Sequence, residues 1–128
     1  MTIQELETYR SKIRQLDILK EQMKVEYLSS IDPARIRVQN GNKNDPTAEL
    51  ALRKLSLLNK YEEEYNALLN QVTTMQNYIL GISDNECREI ALRRFITGQS
   101  YEEIGKAMFM HRSTAFRKLK NYIAHNAT

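Results

Sequence analysis

The chain has 128 residues, 41% of them hydrophobic and 27% charged, with a net charge of +3. This length suits one domain, or one small domain with an appended element, and excludes a large multidomain enzyme. Four glycines, two prolines and no tryptophan supply too few turn formers for a sandwich, a barrel or a glycine-rich phosphate loop, so an all-α fold is expected.

The first segment, residues 1–31, has apolar residues at Leu6, Tyr9, Ile13, Leu16, Met23 and Tyr27. Steps of three and four predict one helix from Ile3 to about Ser30 with a coiled-coil seam, interrupted once at Lys20. Asp32 and Pro33 break the pattern, and the polar stretch from Asn40 to Pro46 reads as a flexible loop over 32–46. Asp45 then caps the next helix, with Pro46 in its first turn, where the missing N–H is not needed.

The second helix is expected over 47–80. Leu58, Tyr61, Tyr65, Leu68, Val72, Met75 and Ile79 occupy seven successive seam positions, the strongest coiled-coil signal in the chain, while Glu62, Glu63 and Glu64 read as a solvated outer face. Two such stripes joined by a loop fit an antiparallel hairpin. The same stripes also suit pairing between chains, and a homodimer through the coiled coil is the expected assembly.

Gly81 ends that helix, and a helix-turn-helix is expected over 82–125. A capping box, Ser83-Asp84-Asn85-Glu86, opens a helix with an apolar face of Cys87, Ile90, Ala91 and Phe95, stopped by Thr97-Gly98-Gln99. A second box, Ser100-Tyr101-Glu102-Glu103, opens a short helix bearing Ile104, Ala107 and Met108. After the connector Phe109-Met110-His111 a last helix runs from Arg112 to about Ala124, with Ala115, Leu119, Tyr122 and Ile123 as its inner stripe.

Charge singles out this last part. Residues 84–128 carry eight basic and five acidic side chains, and from His111 to Thr128 there are four basic residues and no acid, a balance suited to a polyanion. The second helix of a helix-turn-helix lies in the major groove, so its outward residues must be polar or basic. Arg112 and Arg117 are the candidates for base contact, because a guanidinium grips guanine through two acceptors. Ser113 suits a base edge or a phosphate, and Lys120 a phosphate. The competing reading is the solvated face of an ordinary amphipathic helix.

The stretch from Leu80 to Ile123, with Ser100-Tyr101-Glu102-Glu103-Ile104-Gly105 leading to Arg112-Ser113-Thr114-Ala115-Phe116-Arg117, resembles region four of bacterial sigma factors, which recognises the promoter −35 element. With the preceding helix and its Asp45-Pro46-Thr47-Ala48-Glu49 start, residues 45 to 123 resemble small sigma-like phage regulators of the ArpU and RinA type. The resemblance implies a regulator that activates late phage genes by binding double-stranded DNA upstream of their promoters. By position it implies Arg112, Ser113, Phe116 and Arg117 as DNA-facing residues, and His111, Thr114, Lys118 and Lys120 complete the DNA-binding set expected on this helix and its cap. Host RNA polymerase is the candidate protein partner, and the bacterial host cytoplasm and nucleoid the location. One departure stands out: where such motifs place a glycine in the turn this chain has Phe109, and the usual serine cap is His111.

Other chemistry finds little support. Cys87 has no cysteine to pair with, no basic-then-apolar leader opens the sequence, and apolar runs fall far short of the roughly 20 residues a membrane span needs, so a cytoplasmic protein without membrane association is expected. Two histidines and one distant cysteine lack metal-ligand spacing, and Cys87 has no histidine placed to activate it. Glu103 is explained by capping. No enzyme activity, metal or cofactor is expected. Two further readings stay open: a small-terminase-like packaging subunit, which would form a closed ring, and an N-terminal docking rod displaying Tyr9, Tyr27, Tyr61 and Tyr65.

Overall fold

The structure, a computed structural model, describes residues 1–30 and 46–126, and is built entirely of helices among them, with no strand. In chain order they are α1 (Ile3–Glu7), α2 (Tyr9–Ser30), α3 (Pro46–Leu80), α4 (Asn85–Ala91) continued by a π-helical stretch (Leu92–Thr97), α5 (Tyr101–Met108) and α6 (Arg112–His125). The expected loop over 32–46 and the Asp45 cap lie outside the described residues, apart from Pro46, the first residue of α3. None of the described helices is long and apolar enough to cross a membrane.

The chain divides into two compact units. One comprises Met1–Arg14 and Asn70–Thr128, the other Gln15–Leu69.

In the first unit the single N-terminal helix expected from the periodicity is broken at Thr8. Its hydroxyl donates to the Glu5 carbonyl at 2.6 Å, competing with the backbone ladder, and its own N–H bonds the same carbonyl at 3.1 Å. The short α1 is capped by Thr2, whose hydroxyl accepts from the Glu5 N–H. This places Leu6 and Tyr9 in a core with Val72, Met75, Ile79, Ile82, Cys87, Ile90, Ala91, Phe95, Ile104, Ala115, Leu119 and Ile123. Each large side chain fully buried there contributes about 1.5–3 kcal/mol. The Tyr9 hydroxyl accepts from Gln76 Nε2 at 2.7 Å, so this tyrosine is spent inside the unit rather than displayed for a partner.

Polar contacts also join the chain's beginning to α4 and its extension. Arg94 forks onto the Glu7 carboxylate, with bonds of 3.0 and 3.1 Å, and Arg10 donates to the Ile96 carbonyl at 2.8 Å, one of the orphan carbonyls at the end of the π-helical stretch. Gly98 closes that stretch in the left-handed conformation, φ 87°, and a side chain there would also collide with the Arg10 guanidinium, 2.7 Å from a β-carbon. The helix stop expected at Thr97-Gly98-Gln99 is thus present.

The first expected capping box is shifted by one residue. Asp84, not Ser83, caps α4 by accepting from the Cys87 N–H at 2.9 Å, while Ser83 turns to Tyr122, donating its N–H to the phenol at 3.1 Å. The second box is as expected, Ser100 accepting from the Glu103 N–H at 3.2 Å. Of the apolar residues assigned to α5, Ile104 is fully buried and Met108 half-buried, but Ala107 is exposed, on the solvent side of this two-turn helix.

In the second unit, Leu58, Tyr61, Tyr65 and Leu68 are sheltered, as are Ile13, Val72, Met75 and Ile79 of the same stripes in the first unit, whereas Glu62, Glu63 and Glu64 are exposed. Leu16 is buried and Met23 half-buried, but Tyr27 is 59% exposed. A further apolar set lies open on the same unit: Ile18, Val25 and Leu28 on α2, and Leu50, Leu52 and Leu55 on α3.

Candidate nucleic-acid interface

The region of interest is built on α6 and the turn that delivers it. His111 caps the helix, its Nδ1 accepting from the Ser113 N–H at 3.1 Å and lying 2.7 Å from the Ser113 hydroxyl. A neutral imidazole that accepts at Nδ1 carries its proton on Nε2, leaving that N–H to donate elsewhere. The helix is fastened inward by the fully buried Ala115 and Leu119 and by Ile123, and at its far end by the Tyr122 phenol on Ser83.

The turn into α6 is tight. The Met110 N–H bonds the Gly105 carbonyl at 2.9 Å, and a β-carbon on Gly105 would lie 2.5 Å from the Met110 carbonyl oxygen and 3.2 Å from the Arg112 nitrogen. Only glycine permits so close an approach. Phe109 caps α5 at φ 57° and ψ 45°, and is the one non-glycine residue at positive φ among the described residues. A phenylalanine in this left-handed region costs about 1–2 kcal/mol.

Of the eight residues assigned to this surface, seven belong to α6 and His111 is its cap. His111, Arg112, Ser113, Phe116, Arg117 and Lys120 are exposed, and Thr114 is half-buried. Among the described residues no side-chain hydrogen bond or ion pair engages Arg112 or Arg117. Phe116 and Lys120 lie on one flank: the Phe116 ring stands edge-on to Tyr101, centroids 5.2 Å apart, and the Lys120 ammonium is 5.8 Å from the Phe116 centroid. Tyr101 also carries the Arg94 guanidinium, 4.7 Å from its ring centroid. Burial, first of all, pushes the Tyr101 phenol up to about 12.

Lys118 occupies the opposite flank. It is ion-paired with Glu86 of α4, which raises its pKa, and its carbonyl receives the Cys87 thiol at 3.6 Å. Its charge is thereby largely neutralised within the protein. Cys87 is buried, and burial together with the Asp84 carboxylate pushes its thiol up to about 12, so it is an inert packing group. Among the described residues, no group of three or more His, Cys, Asp or Glu side chains gathers into a metal-binding cluster.

A shallow cleft of about 330 Å³ adjoins the start of α6, lined by Glu102, Lys106, Met110, His111 and Arg112. Lys106 is a member that residue-by-residue reading of α6 alone misses. It sits on α5, reaches Glu102 only at 3.8 Å, and is largely exposed. A signal for it existed in the sequence: in a helix-turn-helix the last turn of the first helix must lie beside the start of the second. At the other end of α6, Lys120, Ile123 and Ala124 share an apolar hollow with Met1, Thr2, Ile3 and Gln4.

No family model, curated protein or solved structure matches this chain.

Proposed function

We propose that this protein is a sequence-specific regulator of transcription that binds double-stranded DNA through a helix-turn-helix formed by α5 and α6, with α6 in the major groove. The observation that carries the reading is the exposed basic flank of α6, where Arg112 and Arg117 have no acidic partner among the described residues, on a helix that contains no acid. Charges left unneutralised on one face of a helix anchored by its other face are what phosphate and base-edge contact require. The cap geometry at Ser100 and His111 and the glycine-wedged turn between them support the motif. The resemblance to sigma region four and to sigma-like phage regulators makes late phage genes the targets, host RNA polymerase a partner, and the bacterial cytoplasm and nucleoid the setting.

α2 and α3 form, in this proposal, an antiparallel coiled-coil hairpin. The sheltered seam and the Tyr9–Gln76 bond, between the start of α2 and the end of α3, support it. The open apolar residues of the Gln15–Leu69 unit then join two copies into a dimer, as a helix-turn-helix reading a two-fold site needs. A light-scattering mass of two chains is expected. A large closed ring would instead favour a packaging subunit.

The deciding experiment is selection of bound duplexes from random DNA at two salt concentrations. One recovered motif that survives the higher salt supports sequence-specific regulation. Unsorted DNA that is lost as salt rises leaves only backbone attraction and refutes the proposal.

A further inference from the structure

Phe109 is 96% exposed and sits in the left-handed region. Either feature alone is tolerable, but together they mean that folding gains nothing from this ring. It buries almost no surface, and its backbone conformation is one that glycine adopts freely and a phenylalanine does not. The left-handed conformation is itself required, because the chain must reverse within the residues between α5 and α6 while the Met110 N–H closes onto the Gly105 carbonyl. The fold therefore sets the backbone at position 109 but not the side chain. Strain of this kind, unsupported by packing, points to a use outside the folded chain.

The surroundings indicate what that use is. Phe109 lies between Lys106 of the last turn of α5 and the His111 cap and Arg112 of α6, and its neighbour Met110 lines the cleft that these three share with Glu102. An exposed apolar ring carried on the turn between the cationic Lys106 and Arg112 suits a ligand that carries anionic and apolar parts side by side. Duplex DNA does so, with phosphates flanking deoxyribose and the thymine methyl groups of the major groove. The tight turn also fixes the direction in which the side chain leaves the backbone, so little ordering is needed on contact.

We propose that Phe109 is a DNA-contacting residue that packs its ring on a sugar or thymine methyl at the edge of the site read by α6. This inference rests on the DNA-binding reading above. It differs from a role for Arg117 or Lys120 in having no charge, so it alters base preference and affinity without altering the salt dependence.

The test is Phe109→Gly in the full chain, with Phe109→Asn as a second variant that also accepts the left-handed backbone. Both are expected to melt at higher temperature than wild type, because strain is relieved and no packing is lost. Both are expected to bind the selected DNA motif about tenfold more weakly, to lose preference at one flanking base pair, and to keep the wild-type salt slope. More stable variants that bind the motif with unchanged affinity and preference overturn the inference. If those variants fail instead to capture RNA polymerase, the ring serves a protein, which also overturns it. Loss of binding in Arg117→Ala alongside full binding in Phe109→Gly leaves the DNA reading intact and removes only Phe109, whereas a wild-type chain that selects no motif removes both.

Discussion

The Phe116 ring stands at 85° to the ring of Tyr101, with centroids 5.2 Å apart, so the aromatic residue on the outer flank of α6 is held by the first residue of α5. With Arg94 over the Tyr101 ring and Lys120 over the Phe116 ring, the four side chains are joined by successive contacts. Phe116 is accordingly a structural member of the surface. Phe116→Ala is expected to cost about 2 kcal/mol, less than a fully buried phenylalanine because the ring is 38% exposed, measured as a lowered urea midpoint. An unchanged midpoint would show that the ring pair contributes nothing.

Gly105→Ala places a β-carbon 2.5 Å from the Met110 carbonyl, a backbone atom that cannot swing away. The turn must open, at a cost of about 1–3 kcal/mol. A fall in thermal midpoint, accompanied by weaker DNA binding as the start of α6 shifts, is the expected result. An alanine variant as stable as wild type would mean that the turn is looser than its geometry implies.

The basic residues of α6 should separate into three behaviours. Arg117→Ala lowers affinity and relaxes base preference by about 1–3 kcal/mol at one position, and Lys120→Ala weakens all duplexes alike and makes the salt slope shallower by about one. Lys118→Ala leaves the salt slope nearly unchanged, because Glu86 already neutralises that ammonium. Its stability cost is the small one of an exposed, solvent-screened ion pair. Shift assays of the three variants over a salt series read all of this, and a slope change for Lys118→Ala equal to that of Lys120→Ala would contradict the division of the two flanks.

Cys87 supplies a pH prediction. Its thiol is pushed up to about 12 in the fold, whereas an unfolded cysteine ionises near ~8.5. From about pH 8.5 upward the unfolded chain releases a proton that the folded chain keeps, so stability falls as pH rises, by up to about 1.4 kcal/mol per unit from this group. Between about pH 8.5 and 10, below the range of free tyrosine, Cys87→Ala should show the flatter profile in denaturant titrations. Asp84 acts at the other extreme. Its hydrogen bonds from Cys87 lower its pKa, so its contribution is present above the unfolded carboxylate range and is lost as pH falls through the folded value. A native thiol that reacts with a disulfide reagent as fast as the unfolded chain at pH 8 would refute the inert state of Cys87.

Much of the helical layout was legible because it is local. The seam from Leu58 to Ile79 repeats at fixed steps, and each of its seven residues is sheltered in the structure. Ser100 and Gly98 announce a start and a stop through chemistry within three or four residues of themselves. Where two residues competed for one task, local rules were ambiguous. Ser83 and Asp84 are both good caps, and the distant Tyr122 decided between them by claiming Ser83. The break at Thr8 was hidden because threonine fits an apolar-periodic helix until its hydroxyl takes a carbonyl. The pairing of Arg94 with Glu7 lies beyond any periodicity, since nothing in either neighbourhood refers to the other. At the candidate surface, residue type identified Arg112 and Arg117, but it grouped Lys118 with them, and only the position of Glu86 across from it separates the two flanks. The departure at Phe109 from the expected glycine was visible at once, while its near-complete exposure was not.

The joining of Met1–Arg14 to Asn70–Thr128 has a consequence for how the protein is made. Glu7 precedes its partner Arg94 by 87 positions, so on a ribosome adding about 5–20 residues per second the glutamate waits on the order of 4 to 17 seconds for the arginine to be synthesised. During that interval Leu6 has no finished core to enter. The basic C-terminal unit can close only after α6 has been translated, and what is released before that point is a chain whose opening segment is still unanchored. A nascent chain arrested before residue 94 should therefore leave its first fourteen residues open to protease, whereas the completed protein shields them.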